Sequence, residues 1–442
     1  MTNAKTEKPQ IKSGGDQMRS ATKTTIIMLL ICMLGLLLLT ACDDSDDEEK
    51  TPTPTATSTE NGGKVEKVKI TIGNHTDKTG AASQAMQVVD AGLADVIKHY
   101  NDNNLIPGVE VDLVEYDGML DPGRDIPGWL WLQERGADLI MGWLPALGLT
   151  LGPLADEEQF PFFTTTVDGE LIDPPGYVLA GSPLIEDAAW TLIDWVMQND
   201  WDWQTKGPAK VGGGIDEAGN PEIIFSVFKK YAEMYPERME WIGGYTVPVG
   251  TYTWASEVES LKDADYIYLP NIFPFFLKDY VQAGYDKAKF LTTDNHTSFL
   301  VLMNDMGLWP EFDGTLNLTQ SEWWTEDAEY SNFARELAST YRSSEYDKIA
   351  QSPKGYNSFA NGIHALETIK LAAETVGPEN IDSQALYEAA QKLLIEFDGV
   401  QRFSYTETKR TSPDRLAMYV ANAETKGFDP ISEWFSVQSP PE

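Results

Sequence analysis

Histidine and acidic side chains are the first place to look for chemistry in this 442-residue chain, and two of its four histidines repeat a pattern. His75 stands two residues before Asp77, and His296 two residues after Asp294, each just beyond a β-rich run. Imidazole and carboxylate drawn from two such places could hold a divalent metal, since both are ordinary zinc ligands. The same residues serve as polar lining of a cleft or as caps of loops, and that use is the favoured one; no metal site is expected. His99 and His364 fall inside helical patterns and read as surface or packing residues. Thiol chemistry is closed off. The cysteines are Cys32 and Cys42, so residues 43–442 hold no nucleophilic thiol, no thiolate zinc ligand and no internal disulfide. Gly212-Gly213-Gly214 follows a strand pattern, but Glu217 stands where a dinucleotide loop needs its last glycine. Gly63-Lys64 lacks the upstream glycine and the hydroxyl of a phosphate loop, and neither a G-x-S-x-G elbow nor H-E-x-x-H occurs. No enzyme activity and no cofactor are expected.

The elements that carry these residues alternate. Val68–Gly73 reads as a strand, Ala81–Asn101 as a helix with Met86, Val89, Leu93, Val96 and Ile97 on one side, and Val109–Tyr116 as a strand. Ile126–Arg135 (helix), Asp138–Gly142 (strand), Leu149–Glu158 (helix) and Phe160–Thr164 (strand) follow. A break at Ala180-Gly181-Ser182-Pro183 precedes a second series. Its helices are Glu186–Asn199, Glu222–Met234, Trp254–Leu261 and Pro274–Ala283; its strands are Ala209–Gly213, Met239–Tyr245, Tyr266–Leu269 and Lys289–Thr292. Repeated β-α-β units give an α/β fold with parallel sheets covered on both faces. Two such doubly wound, Rossmann-like halves joined by a hinge near Ser182 make two lobes, and ligands of open α/β sheets sit beyond the carboxyl ends of the strands. Of the 13 Trp, Trp190 and Trp195 lie at helical spacing and suit lobe packing. Trp143, just past Gly142, is open to either use, packing or ligand contact.

Composition narrows the partners. Asp and Glu number 69 against 33 Lys and Arg, a formal charge of −36, which opposes binding to a phosphate backbone; no nucleic-acid role is expected. Ile26–Leu39 is an unbroken apolar stretch preceded by Arg19 and Lys23, too short for a comfortable membrane span but right for a signal peptide. Met18 would give that signal a conventional length. Leu39-Thr40-Ala41-Cys42 resembles the lipobox of bacterial lipoproteins, which makes Cys42 the lipidated residue. The acidic run Asp43–Glu49 and the Thr-Pro stretch to about Thr59 neither pack nor form helix and read as a disordered tether.

From Val68 to Val437 the chain resembles the type I periplasmic solute-binding proteins of ABC transporters, particularly the branched-chain amino acid (Leu/Ile/Val) and amide-binding group. The matching segments, in order, are Ile72–Gly80 with its T-D-x-T-G loop, Tyr116-Asp117 with Asp121–Arg124, Gly136–Gly142, Pro153–Glu157, Phe162–Thr165, Tyr356–Gly377, and Phe397–Val400 through Ile431–Trp434. The resemblance implies a signal peptide at 1–41, a tether at 42–65, lobe one from 66–181 plus 319–400, and lobe two from 182–318 plus 401–437, with a further crossover between Thr315 and Gln320. It implies a monomer on the extracytoplasmic face of the membrane, lipid-anchored through Cys42, that delivers a small solute to a permease. A sensory receptor of the same fold with no transport partner is the alternative.

Carried over residue by residue, the family's contacts point to Thr76, Asp77, Trp143, Pro145, Thr165 and Thr166 in lobe one. In lobe two they point to Phe273 and to Asp294, which would meet an amino group. One departure stands out. Where amino-acid binders offer a serine-rich segment for the α-carboxylate, this chain has Gly142-Trp143-Leu144-Pro145, with no hydroxyl and a proline that lacks an N–H. A carboxylate buried without donors is costly. The expected ligand therefore has an amine, amide or hydroxyl at one end, an apolar or aromatic body, and no obligatory α-carboxylate.

Overall fold

The computed structural model describes residues 67–441 apart from 145, 166 and 400. The segments read as signal peptide and tether, with Cys42, lie outside the described residues. The remainder belongs to a single unit, Lys64–Glu442.

The first lobe is built on five parallel strands: β1 (Val68–Thr76), β2 (Val109–Asp117), β3 (Leu139–Gly142), β4 (Phe162–Thr164) and β5 (Val178–Ala180), in the order β2-β1-β3-β4-β5. β1 is an interior strand, pairing Val68 with Val109 on one side and Ile72 with Leu139 on the other. Residues 70–76 are buried throughout, the mark of a parallel strand covered on both faces. β5 went unseen in the sequence because its three residues follow a Pro-Pro-Gly segment and are too few to show a period. The second lobe continues with β6 (Ala209–Asp216), β7 (Met239–Val247), β8 (Tyr266–Tyr268), β9 (Lys289–Thr293) and β10 (Leu316–Thr319), set in parallel as β7-β6-β8-β9-β10. Of the stretch Thr315–Gln320, where a further crossover is expected, Leu316–Thr319 is strand, and the chain leaves the sheet after Thr319.

It then returns to the first lobe as helices. Glu329–Tyr341, Ser358–Val376 and Ser383–Ala390 form a layer around helix Ser83–Asp102. Buried polar bonds pin that layer: Arg342 Nε donates to Asp95 at 2.9 Å, Tyr356 Oη to the same carboxylate at 2.8 Å, and Ser358 Oγ to the Val89 carbonyl at 2.5 Å. Asp382 caps the last helix by accepting from the Ala385 N–H at 2.8 Å. A hairpin, β11 (Leu394–Phe397) with β12 (Gln401–Ser404), still lies on the first lobe, Phe403 packing against His364. The chain crosses a third time between Ser404 and Arg415. It ends as β13 (Arg415–Asn422), antiparallel to β10, β14 (Gly427–Pro430) and β15 (Phe435–Ser436), both paired to β13.

Candidate functional site

Each parallel sheet ends its strands toward the other lobe, and the residues just past those ends meet around a cavity with an empty volume of about 1050 Å³, part of it open to solvent. From the first lobe come Trp143 and Leu144 after β3 and Thr165 after β4. One face of helix Ser83–Asp102 adds Ala85, Met86 and Val89. From the second come Asp216 at the end of β6, Asn271 after β8, Asp294, Asn295, Ser298 and Phe299 after β9, and Gln320 after β10. The returning helices supply Tyr330, Lys354, Asn357 and Asn361, and the hairpin Phe403.

The charges at the cavity are arranged around one buried cation. The Lys354 side chain is 2% exposed, and its ammonium donates to Thr319 Oγ1 at 2.8 Å, to Ser321 Oγ at 2.7 Å, to the Ser321 carbonyl, and to the Glu322 carbonyl at 3.1 Å. Burial pushes its pKa below the ordinary lysine value, while Asp294 and Glu322 pull it back up. Asp294 Oδ1 lies 3.9 Å from that ammonium, and its Oδ2 accepts from the Gln320 N–H at 2.9 Å. This carboxylate therefore already faces a cation that the protein supplies. By contrast, the side-chain amides of Asn271, Asn295 and Asn361 make no hydrogen bond with the described residues, although all three line the cavity.

A model of the periplasmic binding protein family matches residues 69–427, most of the chain. The chain belongs to the periplasmic binding protein family. This periplasmic binding protein is extracytoplasmic, as the family is, and its two lobes are the family's type I fold. Among curated proteins none matches it in sequence. Among solved structures it is similar to a branched-chain amino acid ABC transporter protein from Thermus thermophilus with bound valine, with 19% identity, 84% of this chain and 97% of that chain covered, and a TM-score of 0.71. It is similar also to a fatty acid ABC transporter substrate-binding protein from Thermomonospora curvata (14% identity, 84% and 92% covered, TM-score 0.70). A third likeness is to a Rhodopseudomonas palustris HaA2 solute-binding protein in complex with p-hydroxybenzoic acid (14%, 84% and 98%, 0.66).

Of the residues singled out in the sequence, this periplasmic binding protein brings Trp143, Thr165 and Asp294 to the cavity. Thr165 Oγ1 donates to the Trp143 carbonyl at 3.2 Å and so ties two of the loops together. Pro145 and Thr166, their near neighbours, lie outside the described residues. Thr76, Asp77 and Phe273 are not in the lining. All three are wholly buried. Thr76 Oγ1 donates to Asp90 at 3.0 Å, and Asp77 accepts from the N–H groups of Gly80, at 2.5 Å, and Ala82, at 2.8 Å. Asp77 thereby shapes the turn that leads into helix Ser83–Asp102 and sets where Met86 and Val89 face. Phe273 is stacked on Phe312, ring centroids 4.9 Å apart, inside the second lobe. Asn271 and Ile272, just before it, are the ones that reach the cavity.

His75 and His296 are held in separate lobes. His296 caps its own turn: Nδ1 accepts from the Thr293 N–H at 3.0 Å and Nε2 donates to the Leu269 carbonyl at 2.8 Å. His75 packs against Tyr116 with neither ring nitrogen hydrogen-bonded, and burial lowers its pKa to about 4. A Cβ at Gly118 or Gly128 would collide with its ring. Among the described residues no group of three His, Cys, Asp or Glu is placed to hold a metal ion. Lys354 and the three cavity asparagines escaped the sequence reading. Lys354 follows Ser352-Pro353 like any exposed helix start, and only the proximity of Asp294 could have marked it.

Proposed function

We propose that this periplasmic binding protein is the solute receptor of an ABC transporter, tethered to the outer face of the cytoplasmic membrane through a lipid on Cys42. Its cleft takes a small organic solute with a neutral polar group and an apolar or aromatic body. The observation that carries this reading is the cavity itself. Both lobes line it, the first with Met86, Val89, Trp143 and Leu144 among others, the second with the amides of Asn271 and Asn295, which have no partner among the described residues. Polar groups left over in a cleft are ones a ligand can satisfy on closure. The similar structures, one with bound valine, one a fatty acid transporter protein and one in complex with p-hydroxybenzoic acid, support a small organic solute with an apolar or aromatic body. The proposed contacts are Trp143, Thr165, Asn271, Asp294, Asn295 and Asn361, with Pro145 and Thr166 beside them. Because Lys354 already faces Asp294, a cationic amine would compete with a fixed ammonium, and a neutral amide or hydroxyl is favoured over it. No catalytic step is assigned.

A ligand that bridges both walls stabilises the closed state by its differential affinity. The test is a melting-temperature panel of amino acids, amides, fatty acids and aromatic acids on purified protein, followed by small-angle scattering with the best hit. Binding raises the apparent melting temperature by mass action, and closure should shrink the radius of gyration. A panel with no hit would remove the receptor reading. Anchoring has its own test: Cys42→Ser should move the protein from the membrane to the soluble fraction, and unchanged partitioning would count against the lipid.

A further inference from the structure

The cleft continues past the amide-lined cavity. A second space, with an empty volume of about 840 Å³ that again includes open solvent, lies toward the crossings between the lobes. Thr165, Asn271, Asp294, Asn295 and Gln320 line both, forming a polar sill between two chambers. Beyond the sill the walls are Ile185, Ala188, Ala189, Ile224, Leu318 and Leu416. Of the hydroxyls on that side, Ser182 Oγ is shared between the Thr165 and Pro183 carbonyls and Thr293 Oγ1 lies 3.2 Å from His296 Nδ1; the Tyr268 phenol and the Asn220 side chain are the other polar groups there. Beyond the sill, walls that are mostly apolar offer a polar guest few partners, whereas an alkyl group gains both desolvation and dispersion contacts there.

On the reading that this cleft is the solute site, we infer that the second chamber is a tail subsite. The ligand it fits is elongated. An aromatic or aliphatic group occupies the first chamber near Trp143 and Phe299, a neutral amide-like or hydroxyl-bearing middle rests on the sill, and an alkyl tail passes beyond it. The polar group thus sits in the middle of the molecule, not at one end as the sequence suggested.

N-ethyl-, N-butyl- and N-hexylbenzamide are suitable probes, titrated calorimetrically into the full-length protein. Each methylene entering an apolar chamber should tighten binding roughly fourfold until the space is full, so the hexyl compound should bind at least about tenfold tighter than the ethyl one. Length alone can favour any apolar surface, so the deciding comparison uses Ala188→Phe, which lines the second chamber and not the first. That substitution should abolish the gain, leaving hexyl no tighter than ethyl. Ala188→Leu, a smaller obstruction, should shift the best tail to a shorter one and serves if the Phe variant has lost its own melting transition. A hexyl compound no tighter than ethyl in the wild type, or a gain that survives Ala188→Phe, overturns the tail subsite. Valine and benzoate are run beside them. If they bind while length brings nothing, the receptor reading stands and the subsite falls; if no solute binds, the receptor reading itself fails.

Discussion

The chain crosses between lobes three times, and two of those crossings are locked by a buried cation in opposite ways. At the third crossing Arg410 is wholly buried, and its guanidinium donates to the carbonyls of Gly176 at 2.7 Å, Thr406, and Lys409 at 3.3 Å, and to Tyr387 Oη at 3.1 Å. The same segment joins the first crossing, the Ala180 N–H donating to the Arg410 carbonyl at 2.7 Å. At the second crossing Lys354 ties Thr319, Ser321 and Glu322 to the first lobe, but one side of it faces Asp294 and the cavity. The first arrangement is closed upon itself; the second is open to whatever enters the cleft. The lesson is that a hinge can be fastened at two strands and left responsive at the third.

The largest effect should come from Arg410→Met. It strands several buried acceptors, each worth about 1–3 kcal/mol, and should lower stability by about 3–5 kcal/mol in urea denaturation while ligand affinity in the folded fraction stays near wild type. A comparable loss of affinity would erase the distinction between the crossings. Lys354→Met should cost about 2–4 kcal/mol of stability, and adding Asp294→Asn should recover part of it, because the lone carboxylate is then no longer charged. A double-mutant cycle with no coupling would show that the two groups act separately. Trp143→Ala should weaken binding of the best ligand from the melting panel by at least about 1 kcal/mol in calorimetry; unaltered affinity would reassign Trp143 to lobe packing.

The most gradual effect is a pH slope at the closed crossings. Tyr405 Oη donates to the Ala180 carbonyl at 3.1 Å, so its contact with His364 Nδ1 at 3.2 Å requires that nitrogen to carry the proton. Nε2 has no partner among the described residues, and burial lowers the His364 pKa to about 3. Between about pH 3 and the ordinary histidine value of 6.5 the unfolded chain therefore takes up a proton that the folded one refuses. Stability should fall as pH falls through that window, by at most about 1.4 kcal/mol per pH unit from this group. His364→Gln should flatten the slope; identical slopes in variant and wild type would remove this assignment.

Much of the scaffold was legible because parallel strands and amphipathic helices leave strong periods. Helix Ser83–Asp102 and strands β1, β2, β6 and β7 lie within a few residues of where hydrophobic spacing puts them. β5, which follows a Pro-Pro-Gly segment, and β10, which follows Asp313-Gly314, were not, because turn residues on their approach mask so short a run. The cleft could be located because strand ends mark it; that rule pointed to Trp143, and the family resemblance pointed to Thr165 and Asp294, which line the same cavity. What a side chain does there depends on neighbours remote in sequence. His75 and His296 have matching local contexts, yet one is hydrogen-bonded on both nitrogens and the other on neither. Phe273 and Asn271 are two residues apart, and only packing against Phe312 decides which turns inward.

The interleaved path has a consequence for the birth of the protein. Helix Ser83–Asp102 is held by residues such as Ser358, 269 positions beyond Val89, and the first lobe's β5 is bridged to Thr411. Neither half can finish until nearly the whole polypeptide is present, because contacts so distant are paid for late in loop-closure entropy. For a molecule that works outside the cytoplasm, this delay is useful. A chain that still lacks its final strands should be loose in both halves, a state in which it can cross a membrane before it folds.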